Sequence, residues 1–345
     1  MKDKGTKGHA EDRKDAKPAG ESLAAMIGSS LRSAAGFAVF TGACAGAGVL
    51  AGAAGHFYKY ALTPKKHDTR LDADPREKEY VEGRKWFRGH PLREDIYIRA
   101  DDGLQLHGSF IPGEPADGHR YAICVHGYAD TSESMGLYAR VYRDRYGMHV
   151  LLPDLRGHGR SDGDYVGMGY DDSFDLLRWI DWILERDRDA QIVLHGISMG
   201  AATVLMTTGT PLPAQVLAAV ADSSYTSAMD LFAFLYEREP GSRIPAPVML
   251  ETLRAIALVR AGYDLAKASP LKAVAYSKTP TLFIHGQGDS FVPPEMMPQL
   301  FRAAACRKAF LWIPEAGHVQ AVNVDPETYW GRVEKFFHTN GVGLF

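Results

Sequence analysis

The sequence predicts an α/β protein in which helices cover both faces of a mostly parallel central sheet. Three observations predict this class. Short unbroken runs of apolar residues recur through the C-terminal two thirds of the chain, segments with helical periodicity separate them, and most runs end in a glycine or an aspartate. Unbroken apolarity over so few residues is typical of strands that are buried on both faces, as strands of parallel sheets are.

The predicted strands begin with a hairpin. Residues 93–109 alternate apolar and polar side chains on either side of Asp102-Gly103, a pair that is typical of tight turns. The unbroken apolar runs follow, at residues 121–127, 149–154, 191–196, 216–222, 281–286 and 308–314. These runs are the predicted strands of the parallel part of the sheet.

Residues 170–186 are a clear helical segment between two of these runs. Apolar side chains recur there at helical spacing and predict the buried face: Phe174, Leu177, Ile180 and Leu184. Asp172 or Ser173 is expected to cap the N-terminus, because both side chains can accept a hydrogen bond from a backbone N–H of the first turn. Strand and helix thus alternate along the chain.

Composition excludes several classes of function. A chain of 345 residues is longer than one core usually supports, so an appendage or a second domain is expected. The formal net charge of -3 and the lack of a basic motif give no basis for a nucleic-acid partner. The cysteines, Cys44, Cys124 and Cys306, form no CxxC pair, and no HExxH motif occurs, so neither a disulfide framework nor a metal site is predicted.

The N-terminal region differs from the rest of the chain. Residues 1–32 mix both charge signs with little apolar surface and are predicted to be a disordered tail. The stretch from Ser33 to Phe57 carries no formal charge and is long enough, as a helix, to cross a hydrocarbon core of about 30 Å. We predict a transmembrane anchor at residues 33–58 and a partly helical linker at residues 59–92.

The composition of the predicted anchor leaves two alternatives open. Its many alanines and glycines contribute little to membrane insertion, so a flexible linker or a cleaved secretory signal also fits the sequence. Lysines and arginines flank the segment on both sides and therefore do not determine its orientation.

Residues that follow the predicted strands are the candidate site. In an open parallel sheet, ligands bind beyond the carboxyl ends of the strands. The residues found there are His126, Gly127, Tyr128, Asp154, Ser198, Asp222, Asp289 and His318.

The segment Gly196-Ile197-Ser198-Met199-Gly200 fits the motif G-x-S-x-G at a strand-to-helix turn. Glycines allow the sharp bend because they carry no Cβ atom. The bend would expose the Ser198 hydroxyl beside a helix N-terminus, where N–H groups favour negative charge. This arrangement predicts a nucleophilic serine.

A serine nucleophile needs a base, and His318 follows the last apolar run. Asp289, which follows the preceding run, is expected to orient the imidazole of His318. Asp222 is the alternative to Asp289, because it also ends a predicted strand. The backbone N–H groups of Tyr128 and Met199 are expected to bind an oxyanion.

Two residues at predicted strand ends are expected to be structural. His126 contributes its local backbone, and Asp154 is expected to organise a turn with Arg156 and His158. Neither residue is predicted to act as a base.

Several segments resemble, in the expected order, those of the α/β-hydrolase superfamily across residues 93–340: "HGYAD", "PDLRGHGRSDG", "LHGISMGAAT", "FIHGQGDSFVP" and "PEAGH". More narrowly, residues 84–110 and 260–274 resemble membrane-bound cell-surface hydrolases of Gram-positive bacteria, and also the serine aminopeptidase and monoacylglycerol-lipase branch.

The resemblance implies an α/β-hydrolase domain at residues 93–345, a catalytic triad of Ser198, Asp289 and His318, and oxyanion roles for Tyr128 and Met199. It also implies an anchored N-terminus at the cell membrane and favours an extracellular catalytic domain.

An insertion at about residues 223–270 is predicted to be a helical cap, since it is rich in apolar side chains interrupted by prolines. Ordinary core helices packed on the sheet are an equally compatible interpretation.

The sequence thus predicts a serine hydrolase that cleaves small carboxylic esters or thioesters without a cofactor. A peptidase or amidase and a non-catalytic anchored scaffold are the alternatives. The sequence makes no prediction of oligomeric state.

Overall fold

The computed structural model describes residues 48–64, 78–238 and 244–343. The chain divides into two compact units, Met1–Gly52 and Ala53–Phe345. The predicted tail lies outside the described residues, and so does the predicted membrane span up to residue 47. Within the described ranges, no helix is both long enough and apolar enough to cross a bilayer.

The second unit contains an eight-stranded sheet. Its strands are β1 (Glu94–Arg99), β2 (Gln105–Ile111), β3 (Arg120–Val125), β4 (His149–Pro153), β5 (Gln191–Ile197), β6 (Val216–Asp222), β7 (Thr281–Gly286) and β8 (Lys308–Ile313). They lie in the order β1-β2-β4-β3-β5-β6-β7-β8. Strand β2 is antiparallel to β1 and β4, and the other neighbours are parallel. The predicted mostly parallel sheet and its leading hairpin are confirmed.

The helices of the described residues are α1 (48–62), α2 (Lys78–Gly89), α3 (Gly136–Arg140), α4 (Tyr170–Leu184), α5 (Met199–Thr208), α6 (Ala228–Glu237), α7 (Ala246–Ala261), α8 (Pro270–Val274), α9 (Met296–Ala303), α10 (Ala321–Val324) and α11 (Pro326–Thr339). Helices α6, α7 and the start of α8 fall within the predicted cap insertion.

Helices cover both faces of the sheet, which explains why the strand sequences are apolar throughout. Every residue of β4 and β7 is buried. Alternate residues of a strand point to opposite faces. Accordingly, Ile123 of β3 lies in one apolar cluster with Trp179 of α4, and its neighbour Ala122 lies in a second cluster with Phe337 of α11.

The predicted buried face of α4 is confirmed for Ile180, which is buried, and for Leu177 and Leu184, which pack against the same cluster, but it is wrong for Phe174. Phe174 is 42% exposed, whereas Trp179 and Ile183 are fully buried in the first cluster. The helix also contains two tryptophans, and the burial of their larger surface outweighs the burial of one phenylalanine. The predicted cap is wrong as well, because the helix is preceded by Gly169 and the Asp172 carboxylate accepts a hydrogen bond from Gly169 N at 3.0 Å.

Helices α6 and α7 each bury one apolar face against the first cluster. Leu231 and Phe232 of α6 and Leu253 of α7 are buried there. On the opposite face of α7, Leu258 and Val259 are exposed to solvent. The two helices therefore combine core packing with an exposed outer surface.

Asp172 is a buried carboxyl group near the start of α4. Its Oδ1 atom has no hydrogen-bond partner within the described part of the chain. Burial, together with the nearby Asp175 carboxylate, raises the pKa of Asp172 to about 7. The folded protein therefore binds this proton more tightly than the unfolded chain, in which an aspartate has a pKa of about 3.9.

We expect Asp172→Asn to change how stability depends on pH. The favourable contribution of Asp172 is present at about pH 4 and is lost as the pH rises through about 7. Asparagine does not titrate, so the free energy of unfolding of the variant should improve relative to wild type from about pH 4 to pH 8. Urea unfolding at several pH values across this range measures the difference in the free energy of unfolding. Asp181→Asn, at an exposed position of the same helix, is the control, and parallel curves for all three proteins would contradict the expectation.

Candidate active site

Ser198 occupies the sharp turn between β5 and α5. Its φ is 52°, a left-handed conformation that L residues rarely adopt. A Cβ atom added at Gly196 would overlap the Gly200 backbone, and one added at Gly200 would overlap the carbonyl oxygens of Val125 and His126. Both glycines are therefore required by the close approach of neighbouring backbones.

Three of the predicted site residues form a hydrogen-bonded row. His318 Nε2 lies 2.8 Å from Ser198 Oγ, and His318 Nδ1 lies 2.8 Å from Asp289 Oδ2. Ser198 is 7% exposed and the Asp289 side chain is fully buried, while the His318 side chain is 21% exposed. The row therefore runs from a buried carboxylate to a hydroxyl at a partly open edge.

The hydrogen bonds of Asp289 determine the direction of the row. Burial opposes its ionisation, but hydrogen bonds from His285 and His318 outweigh that effect and hold the pKa of Asp289 well below its usual range. Its Oδ1 accepts hydrogen bonds from Phe291 N and Val292 N, both at 2.9 Å. An ionised Asp289 accepts the proton of His318 Nδ1, so Nε2 is left to accept from the Ser198 hydroxyl.

His285 was not predicted from the sequence. It is fully buried, and its Nε2 lies 3.2 Å from Asp289 Oδ2 and 3.1 Å from Val292 O. It comes one residue before the end of β7, so the sequence signal was a polar residue inside an otherwise apolar strand. Its position indicates that its Nε2–H helps to hold the Asp289 carboxylate in place.

Asp222, the alternative triad acid, has different hydrogen-bond partners. Its two oxygens accept from Ser223 Oγ at 2.9 Å and from the Tyr329 hydroxyl at 3.0 Å. Ser223 Oγ in turn accepts from Val319 N at 3.3 Å. Burial raises the pKa of Asp222 to about 6. Asp222 is therefore linked through Ser223 to the backbone of the loop that carries His318, rather than to the imidazole itself.

A chain of buried polar groups continues from Asp222 into the core. His195 Nε2 lies 3.0 Å from the Tyr329 hydroxyl, and the Tyr142 hydroxyl lies 2.8 Å from His195 Nδ1. Burial lowers the pKa of His195 to about 3, so the ring is neutral and Nδ1 can accept from Tyr142. This chain satisfies groups that would otherwise be costly to bury.

The two segments that carry the predicted oxyanion donors both lie next to Ser198. Met199 is the first residue of α5, so its N–H has no partner within the helix. A Cβ atom added at Gly127 would lie 3.4 Å from the Ser198 Cβ, which places the backbone just before Tyr128 against the serine. The structure thus brings both predicted N–H-bearing segments to the hydroxyl.

Two histidines hold the loop that contains Tyr128. Leu155 N donates to His126 Nε2 at 3.0 Å, and His126 Nδ1 donates to Gly127 O at 2.8 Å. Ala129 N donates to His158 Nε2 at 3.2 Å. Burial lowers the pKa of His158 to about 4, which keeps the ring neutral and able to accept. His126 is therefore structural, as predicted.

Asp154 organises a turn, but with different partners from those predicted. Its oxygens accept hydrogen bonds from Ser132 N at 2.7 Å, Arg160 N at 3.0 Å and His107 Nδ1 at 2.7 Å. The side chain of Arg156 instead pairs with Asp175. The prediction of a turn with Arg156 and His158 is therefore wrong in its partners, because both side chains have their own partners elsewhere.

Backbone strain is concentrated around this site. Of the six non-glycine residues with positive φ in the described ranges, four lie at the site: Ala129, Ser198, Ser223 and Val319. Each precedes or follows a group named above. Such conformations cost of order 1–3 kcal/mol each and persist where the surrounding contacts enforce them.

The described residues contain no group of three or more His, Cys, Asp or Glu side chains that could hold a metal ion.

The Phe291 ring, whose centroid lies 5.0 Å from that of the His318 ring, covers one side of the row. The arrangement is chemically able to transfer the Ser198 proton to His318 and to bind negative charge beside the serine.

A model of the alpha/beta hydrolase family matches residues 122–331, more than half of the chain. The chain belongs to the alpha/beta hydrolase family. The matched region contains all five predicted site residues.

Curated relatives and solved structures resemble the same region. The chain is 27% identical to the uncharacterized protein YqkD of Bacillus subtilis, over 68% of this chain and 75% of the relative. It is 27% identical to the alpha/beta hydrolase domain-containing protein WAV2 of Arabidopsis thaliana, over 69% and 76%. A solved esterase of Pyrococcus furiosus superposes with a TM-score of 0.58 at 20% identity, covering 80% of this chain and 98% of that chain. The last similarity shows a shared fold.

The hydrogen bonds of this alpha/beta hydrolase distinguish its two candidate acids. Asp289→Asn should lower the rate at which a fluorophosphonate modifies Ser198 by about 10⁴-fold, because an amide favours the wrong tautomer of His318. Asp222→Asn, the matched control, should change that rate less than about tenfold, because Asp222 does not bond the imidazole. Stopped-flow labelling measures both rates. Equal losses in the two variants would contradict the assignment.

Proposed function

We propose that this protein is a serine hydrolase that cleaves carboxylic esters or thioesters through an acyl-enzyme. The observation that carries the proposal is the row from Asp289 through His318 to Ser198, with both contacts at 2.8 Å. Nucleophile, base and orienting acid are each within hydrogen-bond reach of the next, which is the arrangement that acyl transfer requires.

Each residue has a defined role in the proposed reaction. His318 Nε2 takes the Ser198 proton as Oγ attacks the acyl carbon, and returns that proton to the departing alcohol or thiol. Asp289 stabilises the imidazolium that forms between these steps. Water then attacks the acyl-enzyme with His318 again as base, which releases the acid and restores Ser198.

The negative charge of the tetrahedral intermediate would be bound by the N–H groups of Tyr128 and Met199. Removal of one such donor typically costs about 10²–10³ in kcat. Since Met199 begins α5, the dipole of that helix adds to the stabilisation. The proposed chemistry uses these protein groups and calls for no cofactor.

The first test uses Ser198→Ala. Wild-type protein should be labelled by a fluorophosphonate and should hydrolyse p-nitrophenyl esters, while the variant should lose labelling and about 10⁶ in kcat. Ser223→Ala, which keeps the nucleophile, should still be labelled. Absence of labelling in a folded wild type would reject the proposal in favour of a non-catalytic scaffold.

Peptidase or amidase activity is the second candidate, because the same residues can cleave amides. Amines leave less readily than alcohols, so the enzyme must protonate the leaving group more effectively. Aminoacyl-nitroanilides, assayed beside the esters, separate the candidates. We expect esters to be cleaved faster, and turnover of anilides alone would exclude the esterase assignment.

We also propose that the N-terminal region anchors the enzyme in the cell membrane, with the catalytic domain outside. Ala54 and Tyr58, at the end of the predicted span, are buried within the second compact unit, Ala53–Phe345, which we call the catalytic unit. The 20 residues from 33 to 52 remain for the membrane. A helix of that length spans about 30 Å, which matches a hydrocarbon core of about 30 Å.

Labelling of intact cells tests this location. A membrane-impermeant fluorophosphonate should label Ser198 without lysis, and the labelled protein should sediment with membranes. Ser198→Ala controls for non-specific labelling. Labelling that requires lysis would contradict the extracellular placement, and recovery in the soluble fraction would contradict the anchor.

A further inference from the structure

The segment 53–62 of α1 packs on the catalytic unit through one apolar stripe. Ala54, Tyr58, Ala61 and Leu62 are all buried, at 0%, 6%, 5% and 0% exposure. Their spacing of four, three and one residues is the spacing of one helical face. Tyr58, Ala61 and Leu62 belong to the apolar cluster that also contains Met199 and Phe232.

This segment contacts the loop that carries a proposed oxyanion donor. The Tyr128 hydroxyl donates to the Tyr60 carbonyl oxygen at 3.1 Å. In a continuing helix this carbonyl would accept from the N–H of residue 64, but Pro64 has none. The Tyr128 hydroxyl thus supplies a bond that the helix itself cannot make. Near the end of the helix, the carbonyl oxygen of Leu62 accepts a second hydrogen bond from outside the helix, from Val166 N at 2.8 Å.

The same segment contacts both helices of the cap insertion. The Phe57 ring packs edge-on against Phe232 of α6, with ring centroids 5.6 Å apart, and stacks on Tyr236 of α6 at 6.0 Å. The Arg260 guanidinium, at the end of α7, lies 5.3 Å from the centroid of the Tyr58 ring. Aromatic and cation–π contacts of this kind each contribute modestly but fix relative orientation.

We infer that segment 53–62 is a positioning element of the active site, which ties the Tyr128 loop to cap helix α6. The inference rests on the proposed function, since it assigns the segment a role in that reaction. Through Tyr60 O the segment fixes the residue whose N–H would bind the oxyanion. Through Phe57 it fixes α6, whose Phe232 belongs to the same apolar cluster as Met199.

Two substitutions in the full-length, detergent-solubilised protein test the inference. Tyr128→Phe keeps the ring and the backbone N–H but removes the hydrogen bond to Tyr60 O. It should lower kcat for p-nitrophenyl esters about threefold to tenfold with KM unchanged. The reason is that the loop whose N–H would bind the oxyanion in the transition state loses one hydrogen bond that holds it in place. Phe57→Ala should lower kcat/KM about tenfold, and Phe57→Tyr should restore it, because the ring contacts return.

Matched controls separate positioning from general stability. Tyr276→Phe alters an exposed tyrosine, and Phe310→Ala removes an aromatic contact with Phe301 at β8. Both should keep kcat and KM within about twofold of wild type. Thermal unfolding is measured for every variant, and Tyr128→Phe should lower kcat while its Tm stays close to that of wild type.

The outcomes distinguish this inference from the proposal on which it rests. Wild-type protein that neither hydrolyses esters nor reacts with the fluorophosphonate would overturn the proposed function, and this inference with it. An active wild type whose Tyr128→Phe and Phe57→Ala variants match the controls in kcat and KM would overturn the inference alone. So would losses that follow Tm equally in variants and controls.

Discussion

The site depends on the close approach of three backbone segments around Ser198. Gly196 and Gly200 meet directly beneath the serine, and Gly200 also meets the carbonyl oxygens of Val125 and His126 at the end of β3. This contact forces Ser198 into a left-handed conformation that its own preferences oppose. The hydroxyl is thereby directed outward at the sheet edge, where His318 and the loop that contains Tyr128 approach it.

Three buried histidines accept hydrogen bonds near the site: two hold the loop that contains Tyr128, and the third belongs to the polar chain that runs from Asp222 into the core. His126 accepts from Leu155 N, His158 from Ala129 N, and His195 from the Tyr142 hydroxyl. Burial keeps the last two uncharged, with pKa values of about 4 and about 3. A protonated ring could not accept, so the precision of the site relies on the neutral form of residues that take no part in the proposed chemistry.

Local sequence signals predicted the sheet well because its strands are buried on both faces and therefore remain apolar throughout. The buried face of α4 was wrong at Phe174, because periodicity favoured that residue while the bulk of Trp179 decided the packing. The juxtaposition of Ser198 and His318 follows from strand order, which sequence can indicate. The support of Asp289 by His285 could not be predicted, because it depends on how the loop after β7 folds back over that strand.

Helix α1 bears on where the catalytic unit begins along the chain. The family match begins at residue 122 and the predicted hydrolase domain at 93, yet the compact catalytic unit begins at Ala53. Shortening the chain to its matched region would remove Phe57 from its ring contacts with α6 and would remove the Tyr60 carbonyl that accepts from the Tyr128 hydroxyl. If the proposed anchor precedes this helix, the chain enters the catalytic unit beside the loop that contains Tyr128, so a force on the anchor would act first on that loop.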